Sequence, residues 1–310
     1  MVEDNEIKAQ VSPFAIREGE IKTFDGKDGY VSMNQIVHKI NIGHITDIHF
    51  AILDLVNEFE FITSRQIYQM LEIKGIDPKS QDKLNNKLDA LVKSKILTRY
   101  YFTSDEGKGI YRIYCLEKMG KYLLTSKEVE CKWQPSDNTK PVPMIKKRLA
   151  GNQVLIAYLR KVKAFDGYVV KPAITAKTLG KVFKATGGSV KLSKNGKSIQ
   201  FLFEVFRREM DWQKKLVEKM NLYKDFYENF QPGDSGFTSL PQLILVCEDE
   251  KHMAECFKEI VTNKVEIPQI KLLFTTDLRQ NKETLDDTLV EFKLVDGKYK
   301  MEDVELKLLG

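Results

Sequence analysis

The order of five segments between residues 44 and 116 constrains the fold more than any other feature of the sequence. Three stretches place apolar residues at helical spacing, and the first, HITDIHFAILDLVNEF, puts Ile45, Ile48 and Ile52 on one face. In the second, FITSRQIYQML, Thr63 or Ser64 is the expected N-cap. The third, DPKSQDKLNNKLDALVKSKIL, has Pro78 in its expected first turn. The sequence therefore predicts three consecutive helices.

Two segments rich in β-branched and aromatic residues, ILTRYYF and IYRIYCL, follow these helices. The polar stretch TSDEGKG between them contains glycine, so the pair predicts a β-hairpin. Three helices followed by a hairpin is the order of a winged helix-turn-helix, which predicts a DNA-binding domain over residues 41–126. Residues 1–40 form an N-terminal extension, and the Asp-Gly pairs at 25–26 and 28–29 favour a β-hairpin within it.

The C-terminal half has a different pattern. The segment ECKWQPSDNTKPVP contains three prolines among polar residues and predicts a linker over residues 127–145. Beyond it, apolar strands such as SIQFLFEVF and PQLILVCED alternate with helical stretches, as in a parallel or mixed sheet with crossover helices. We therefore expect an α+β or α/β chain, with a second α/β domain over residues 146–310.

Composition limits the functional classes. Of the 310 residues, 42% are hydrophobic and 30% are charged, which fits a globular protein, and the net charge of +5 is only mildly basic. The polar start and the lack of a long apolar run predict a cytoplasmic protein without membrane contact. The four cysteines show no CxxC spacing, so we expect reduced, mostly buried thiols, with no metal and no cofactor.

The third helix and the hairpin carry the candidate DNA-binding residues. Between Pro78 and Tyr100 there are six Lys or Arg and two Asp, an excess of four positive charges. Lysines neutralise phosphates, and amide side chains pair with base edges in the major groove. An ordinary solvated face or a protein-binding module would show the same pattern. The predicted set is Lys79, Ser80, Lys83, Asn86, Lys87, Arg99, Lys108 and Arg112.

A second basic stretch lies in the C-terminal half. Residues 169–197 hold seven lysines and no acid, and KATGGSVKLSKNGKS reads as a glycine-rich basic hairpin. Such a hairpin suits a phosphate backbone, and a solvated loop is the equal alternative. The candidates for a second DNA contact are Lys184, Lys191, Lys194 and Lys197.

Catalysis is expected to be lost. A metal-dependent nuclease needs two carboxylates on neighbouring strands and a lysine, commonly an Asp followed by Glu-x-Lys. Glu204 stands at the end of FLFEVF, but position 206 is Phe and the preceding strand region has no acid. Glu204 and Lys219 are therefore relic candidates of a catalytic site, and we expect no enzyme activity.

Several motifs resemble the bacterial replication-relaxation family. FITSRQIYQML is similar to the opening of its winged helix, and YCLEKMGKYLL resembles the end of that domain. RLAGNQVLIAYLR resembles the start of its second domain, with Arg148 where a histidine is usual. FLFEVFRREMDWQKKLVEKMNLY is similar to a further block, with Glu204, Lys219 and Tyr223 at matching positions and Phe206 in place of an acid. The resemblance runs from about residue 44 to residue 275.

The resemblance implies a winged helix joined to a domain similar to restriction endonucleases. Members are encoded on plasmids and conjugative elements, and are associated with plasmid relaxation for replication or with mobilisation beside a relaxase. We therefore expect a DNA-binding accessory protein whose partners are double-stranded DNA, a relaxase or replication protein, and further copies of itself. A winged-helix transcriptional regulator and a metal-dependent DNA nuclease are the alternatives.

Overall fold

The computed structural model describes residues 11–104, 107–282, 284–285 and 287–305, and the side chains of 107–110 are also outside the description. The chain is a mixture of helices and several β-sheets. The N-terminal half contains β1 (Ile21–Phe24), α1 (Met33–Asn41), α2 (Asp47–Phe59), β2 (Ile62–Thr63), α3 (Ser64–Ile73), α4 (Gln81–Lys93), β3 (Leu97–Ser104), β4 (Gly107–Leu116) and α5 (Lys118–Ser126).

Local hydrogen bonds fix where the predicted helices begin. The Gln66 N–H donates to Thr63 Oγ1 at 3.2 Å, and the Thr63 N–H donates to Gln66 Oε1 at 3.1 Å. This capping box confirms Thr63 as the N-cap of α3. The Lys83 N–H donates to Ser80 Oγ at 3.2 Å, so α4 begins after Ser80. The prediction that Pro78 lies in the first turn of α4 is therefore wrong.

The sheet of the N-terminal half has the strand order β1-β3-β4-β2. β3 and β4 pair antiparallel, which confirms the predicted hairpin between residues 97 and 116. The hairpin expected within residues 1–40 is wrong over the described part of that range. There β1 pairs with β3, from Ile21 opposite Thr103 to Phe24 opposite Tyr100, and the chain then continues into α1.

The C-terminal half is built on a seven-stranded mixed sheet with the order β13-β12-β11-β10-β9-β8-β5. The strands β9, β10 and β11 run parallel, and the others pair antiparallel. The elements are α6 (Val142–Lys161), β5 (Phe165–Val169), β6 (Ala173–Ala176), β7 (Lys181–Lys184), β8 (Ser189–Lys194), β9 (Lys197–Val205), α7 (Trp212–Glu228), β10 (Gln242–Cys247), α8 (Glu250–Thr262), β11 (Leu273–Thr276), α9 (Asp277–Gln280), β12 (Leu289–Val295) and β13 (Lys298–Val304).

Both faces of this sheet are covered. Phe203 and Ile244 lie in a core shared with α6 and the N-terminal half, while Leu202 and Leu245 lie in a second core with α7 and α8. Because successive side chains of a strand point to opposite faces, a doubly covered strand must be apolar throughout. In β10, the residues from Leu243 to Cys247 are continuously buried, as expected of such a strand.

Helix α6 joins the two halves. It is buried on nearly all sides, since the Asn152 side chain donates to the Phe61 carbonyl at 2.8 Å and the Gln66 side chain donates to the Leu149 carbonyl at 2.8 Å. A methyl group at Gly151 would lie 2.5 Å from the Thr186 carbonyl oxygen, so α6 also approaches the β7–β8 connection closely. One core runs through α6 and includes residues of both halves.

The segment predicted as a linker, residues 127–145, is largely exposed, but Cys131 and Trp133 pack against the core and local hydrogen bonds hold it. Residues Pro135–Thr139 form a 3-10 turn, and the Asn138 side chain donates to the Leu116 carbonyl at 2.8 Å. The last residues of the segment already belong to α6, which starts at Val142. Among the described residues, no helix has the length and apolar character needed to cross a bilayer.

Candidate functional site

The exposed face of α4 presents part of the predicted DNA-binding set. Lys83 and Asn86 are exposed, and neither side chain has an ion pair or hydrogen bond within the described part of the chain. Lys87 is half-buried beside α2, where burial and then the charge of Lys87 lower the pKa of His49. Lys79 is exposed and pairs with Asp77 at 2.9 Å. The N-terminal half of α4 therefore carries available positive charge and an available amide.

Two other members of the set are engaged within the protein. Arg99 is only 14% exposed at its side chain, pairs with Asp89, and lies 2.9 Å from the Asp25 carboxylate. Arg112 is half-exposed and lies 3.3 Å from the same carboxylate. The side chain of Lys108 lies outside the described residues. Arg99 thus joins β3 to α4 and to the segment after β1 rather than presenting its charge to solvent.

A groove of about 1400 Å³ lies beside α4. It runs between the N-terminal ends of α3 and α4, the strands β3 and β4, and the C-terminal half of α6. Lys79, Ser80 and Arg112 of the predicted set line it. Lys83, Asn86 and Lys87 are not among its lining residues, so the predicted set divides between the groove and the outer face of α4. Further polar lining residues outside the predicted set are Ser64, Arg65, Gln81 and Asn85.

The lysines proposed for a second DNA contact do not form one cluster. β8 and β9 form the predicted hairpin, with Lys194 opposite Lys197 at its end and a turn at residues 195–196 where both φ angles are positive. Lys191 pairs with Asp166 at 2.7 Å. Lys184 belongs to the separate β6–β7 ladder. Only Lys194 and Lys197 therefore meet at the hairpin end.

Glu204 and Lys219, the relic candidates, do come together. Glu204 is 2% exposed, and its Oε2 lies 3.5 Å from Lys219 Nζ of α7. The Tyr223 hydroxyl donates to Glu204 Oε2 at 2.6 Å, and the Thr186 hydroxyl donates to Oε1 at 2.6 Å. Burial and then the charge of Glu204 raise the pKa of Tyr223, so the phenol stays a donor. Both carboxylate oxygens are satisfied within the protein.

Arg148 also lies near this carboxylate. Burial lowers the pKa of Arg148 to about 10, and the charge of Glu204 acts in the opposite direction. Its guanidinium donates to the Val170 carbonyl at 2.9 Å. Arg148 remains charged at neutral pH and lies 3.8 Å from a Glu60 carboxylate oxygen, whereas Lys219 is the cation within ion-pair distance of Glu204. Glu204, Lys219, Tyr223, Thr186 and Arg148 are hereafter the Glu204 cluster.

A second buried charge pair lies just beyond the C-terminal ends of β9 and β11. Arg207 is fully buried, and its guanidinium donates to both carboxylate oxygens of Asp277 at 2.8 and 2.9 Å. The Ser12 hydroxyl donates to the same carboxylate. Burial raises the pKa of Asp277, and Arg207 opposes that shift. No local sequence pattern indicates this pair, because positions 207 and 277 meet only through the parallel pairing of β9, β10 and β11.

The N-terminal segment covers this edge of the sheet. The Ile16 N–H donates to Glu248 Oε1 at 3.3 Å, and Lys146 of α6 pairs with Glu20 at 2.5 Å. Arg208 holds the adjacent carboxylates, at 3.3 Å from Glu248 and 2.7 Å from Asp249. The acids at this edge are therefore paired with cations or backbone donors, as buried charges must be.

The comparisons with known proteins place the chain in a family. The sequence profile described as Replication-relaxation matches residues 53–240, more than half of the 310 residues. The chain therefore belongs to the replication-relaxation family, which confirms the resemblance. The matched range begins in α2 and ends just before β10, so it includes both α4 and the Glu204 cluster. A comparison with curated proteins found no match.

Proposed function

We propose that the protein binds duplex DNA through α4 and acts as an accessory factor in the replication, relaxation or mobilisation of a plasmid or other mobile element. Membership of the replication-relaxation family supports the replication-related role. The DNA-binding part of the proposal rests on the exposed N-terminal half of α4. There, the side chains of Lys83 and Asn86 have no ion pair or hydrogen bond with other described residues.

The topology of the N-terminal half supports a winged helix. α2, α3 and α4 precede the β3–β4 hairpin, and the short strand β2 between α2 and α3 pairs with β4. In a winged helix the last of three helices enters the major groove and the hairpin lies beside it. α4 buries Leu84 and Leu88 against the core, which leaves its opposite face for DNA.

The charge on that face has the right chemistry for a duplex. Lysine ammonium groups bind phosphates and release counterions, whereas an amide such as that of Asn86 donates to and accepts from an adenine edge. Lys79 and Ser80 at the start of α4 lie where backbone N–H groups and the helix dipole also favour a phosphate. Arg112 on β4 is half-exposed but is paired with Asp25.

The C-terminal half supports a non-catalytic role. The order α6-β5-β8-β9-α7-β10 fits a nuclease-like core, and β6 and β7 form a separate two-stranded sheet. A divalent cation needs several oxygen ligands, yet Glu204 already accepts from Thr186 and Tyr223. Phe206 lies in the apolar core instead of supplying a second carboxylate. We therefore propose a structural Glu204 cluster and a separate enzyme, such as a relaxase, for strand cleavage.

The DNA-binding proposal is tested by the salt dependence of affinity. Fluorescence anisotropy with a labelled duplex is measured over a range of salt concentrations for the wild type and for Lys83→Ala/Lys87→Ala. Removing two phosphate contacts should weaken binding at every salt concentration and reduce the slope of log K against log salt by about 2.

A matched control removes two exposed lysines of α8, as Lys251→Ala/Lys258→Ala. It changes the net charge equally and should leave affinity and slope near the wild type. Equal behaviour of the two double variants would reject α4 as the DNA-binding surface.

The non-catalytic proposal has its own test. Supercoiled plasmid is incubated with the protein and Mg²⁺ or Mn²⁺, and the nicked form is quantified beside Glu204→Ala. We expect no nicking by either protein, and nicking by the wild type alone would show that Glu204 is catalytic.

A further inference from the structure

Three side chains with metal-binding chemistry meet in the core between β10 and α8. They are Cys247, His252 and Cys256, and all three are fully buried. The two thiol sulfurs and one ring nitrogen of His252 lie within 4.8 Å of one another. This Cys-His-Cys cluster is distinct from the α4 surface and from the Glu204 cluster.

The local fold explains why the three side chains converge. Cys247 is the last residue of β10, and Asp249 caps α8 by accepting from the His252 N–H at 2.7 Å. His252 and Cys256 are four residues apart, so they lie one above the other on the buried face of α8. The tight connection from β10 to α8 brings that face onto Cys247.

The protein itself satisfies these groups poorly. His252 Nδ1 receives only a 3.3 Å contact from the Glu248 N–H, and Nε2 has no hydrogen-bond partner among the described residues. Trp212 packs edge-on against the ring with centroids 5.0 Å apart, so one side of the imidazole is apolar. A buried polar atom without a partner is costly and calls for an explanation.

We propose that Cys247, His252 and Cys256 bind a thiophilic cation, Zn²⁺ or Cu⁺, as a structural site. Sulfur and imidazole nitrogen are the ligands that these ions prefer, whereas Mg²⁺ and Ca²⁺ require oxygen. Two thiolates and a neutral imidazole around Zn²⁺ have zero net charge, which suits a fully buried site. Zn²⁺ would need a water molecule as a fourth ligand. Cu⁺ is stable with three ligands, so it could bind here without water.

Cysteine binds a metal as the thiolate and histidine as the neutral imidazole. Each thiol that binds the cation therefore releases its proton to solvent.

A bound cation would link α8 to β10, close to the ion pairs that Arg208 makes with Asp249 and Glu255. Arg208 lies 2.7 Å from Asp249 and 3.1 Å from Glu255, on either side of His252 in the sequence. Metal binding stabilises only the folded chain, and it is therefore expected to raise the melting temperature. This role is independent of the proposed DNA binding.

Metal content of the full chain tests the proposal. The protein is equilibrated under reducing conditions with Zn²⁺, with chelator-buffered Cu⁺ or with Mg²⁺, passed through gel filtration and analysed by mass spectrometry of the elements. The wild type should retain about one equivalent of Zn²⁺ or Cu⁺ and no Mg²⁺. The arm that retains metal identifies the cation, and failure to retain either ion would overturn the proposal.

Variants locate the site. Cys256→Ala and Cys247→Ala should lose the bound metal and the rise in melting temperature, while Cys115→Ala, which removes a buried thiol in the N-terminal half, should keep both. Equal metal retention by Cys256→Ala and Cys115→Ala would overturn the assignment. If the cluster variants do not fold, spectra of the wild type decide: Co²⁺ should give a thiolate-to-cobalt absorption band for a Zn²⁺ site, or Cu⁺ a thiolate-to-copper ultraviolet band for a Cu⁺ site. The absence of both bands would reject the site.

Discussion

The α4 surface and the C-terminal end of the parallel strands both concentrate charge, but they use it in opposite ways. On α4, Lys83 and Asn86 are exposed and lack partners within the described residues. At the end of β9 and β11, Arg207 and Asp277 are buried and hydrogen-bonded to each other. Exposed, unpaired charge is available to a polyanion, whereas buried, paired charge holds the fold in one arrangement. This difference underlies the proposal that the α4 residues bind DNA, whereas the buried pair stabilises the fold.

The largest effect is expected from breaking the buried pair. Asp277→Ala leaves the fully buried Arg207 without its carboxylate and should lower the free energy of unfolding by about 3–5 kcal/mol. Urea denaturation measures this loss. Lys83→Ala is the matched surface control and should change the free energy by no more than about 0.5 kcal/mol. If both variants lost a similar free energy of unfolding, the proposed difference between the buried pair and the α4 surface would be wrong.

A smaller effect is expected in the Glu204 cluster. Tyr223→Phe removes the hydroxyl that donates to Glu204 at 2.6 Å and should lower the free energy of unfolding by about 1.5–3 kcal/mol. Tyr122→Phe, at a tyrosine that is 45% exposed, is the control and should be nearly neutral. A neutral Tyr223→Phe would mean that the carboxylate does not depend on this donor.

The smallest effect is a dependence on pH at Glu209. Burial alone would raise the pKa of Glu209, but its pairs with Lys147 and Lys215 lower it below 4.5. A carboxyl whose pKa is lowered on folding stabilises the protein above its unfolded pKa, and loses that contribution as pH falls through its folded pKa. Glu209→Gln should therefore be less stable than the wild type at pH 7.

The gap between the two proteins should close as the pH falls below 4.5, and thermal unfolding across pH 3–7 measures it. A gap that is constant over this range would show that the charge of Glu209 is not involved.

Local patterns were sufficient for some elements of the fold, whereas α1 and the β12–β13 pair were not predicted. Helical spacing predicted α2, α3 and α4, and the glycine-containing turn predicted the β3–β4 hairpin, because those signals lie within a few residues of one another. The pairing of β1 with β3 joins residues about 80 positions apart, and no local pattern reports it. For the same reason, no local pattern predicted that α6 joins the two halves, because its burial on nearly all sides depends on contacts with both of them.

The candidate site was predicted in part for the same reason. Lys83 and Asn86 follow from their positions on one amphipathic helix. Arg99 is different, since its partners Asp25 and Asp89 come from other elements and only the fold brings them together. The absence of an acid before Glu204 was visible in the sequence, but its donors Thr186 and Tyr223 depend on the packing of α7 against β9.

The most direct test of the account is photo-crosslinking to DNA from each of the two regions. A benzophenone amino acid is placed at Asn86 on α4 or at Met210, which is 83% exposed beside the Arg207 and Glu209 pairs. Each protein is irradiated with a labelled duplex, and the covalent adduct is quantified at low and high salt. We expect an adduct from position 86 that disappears at high salt, and little from position 210. An adduct from position 210 alone would contradict the assignment of DNA binding to α4.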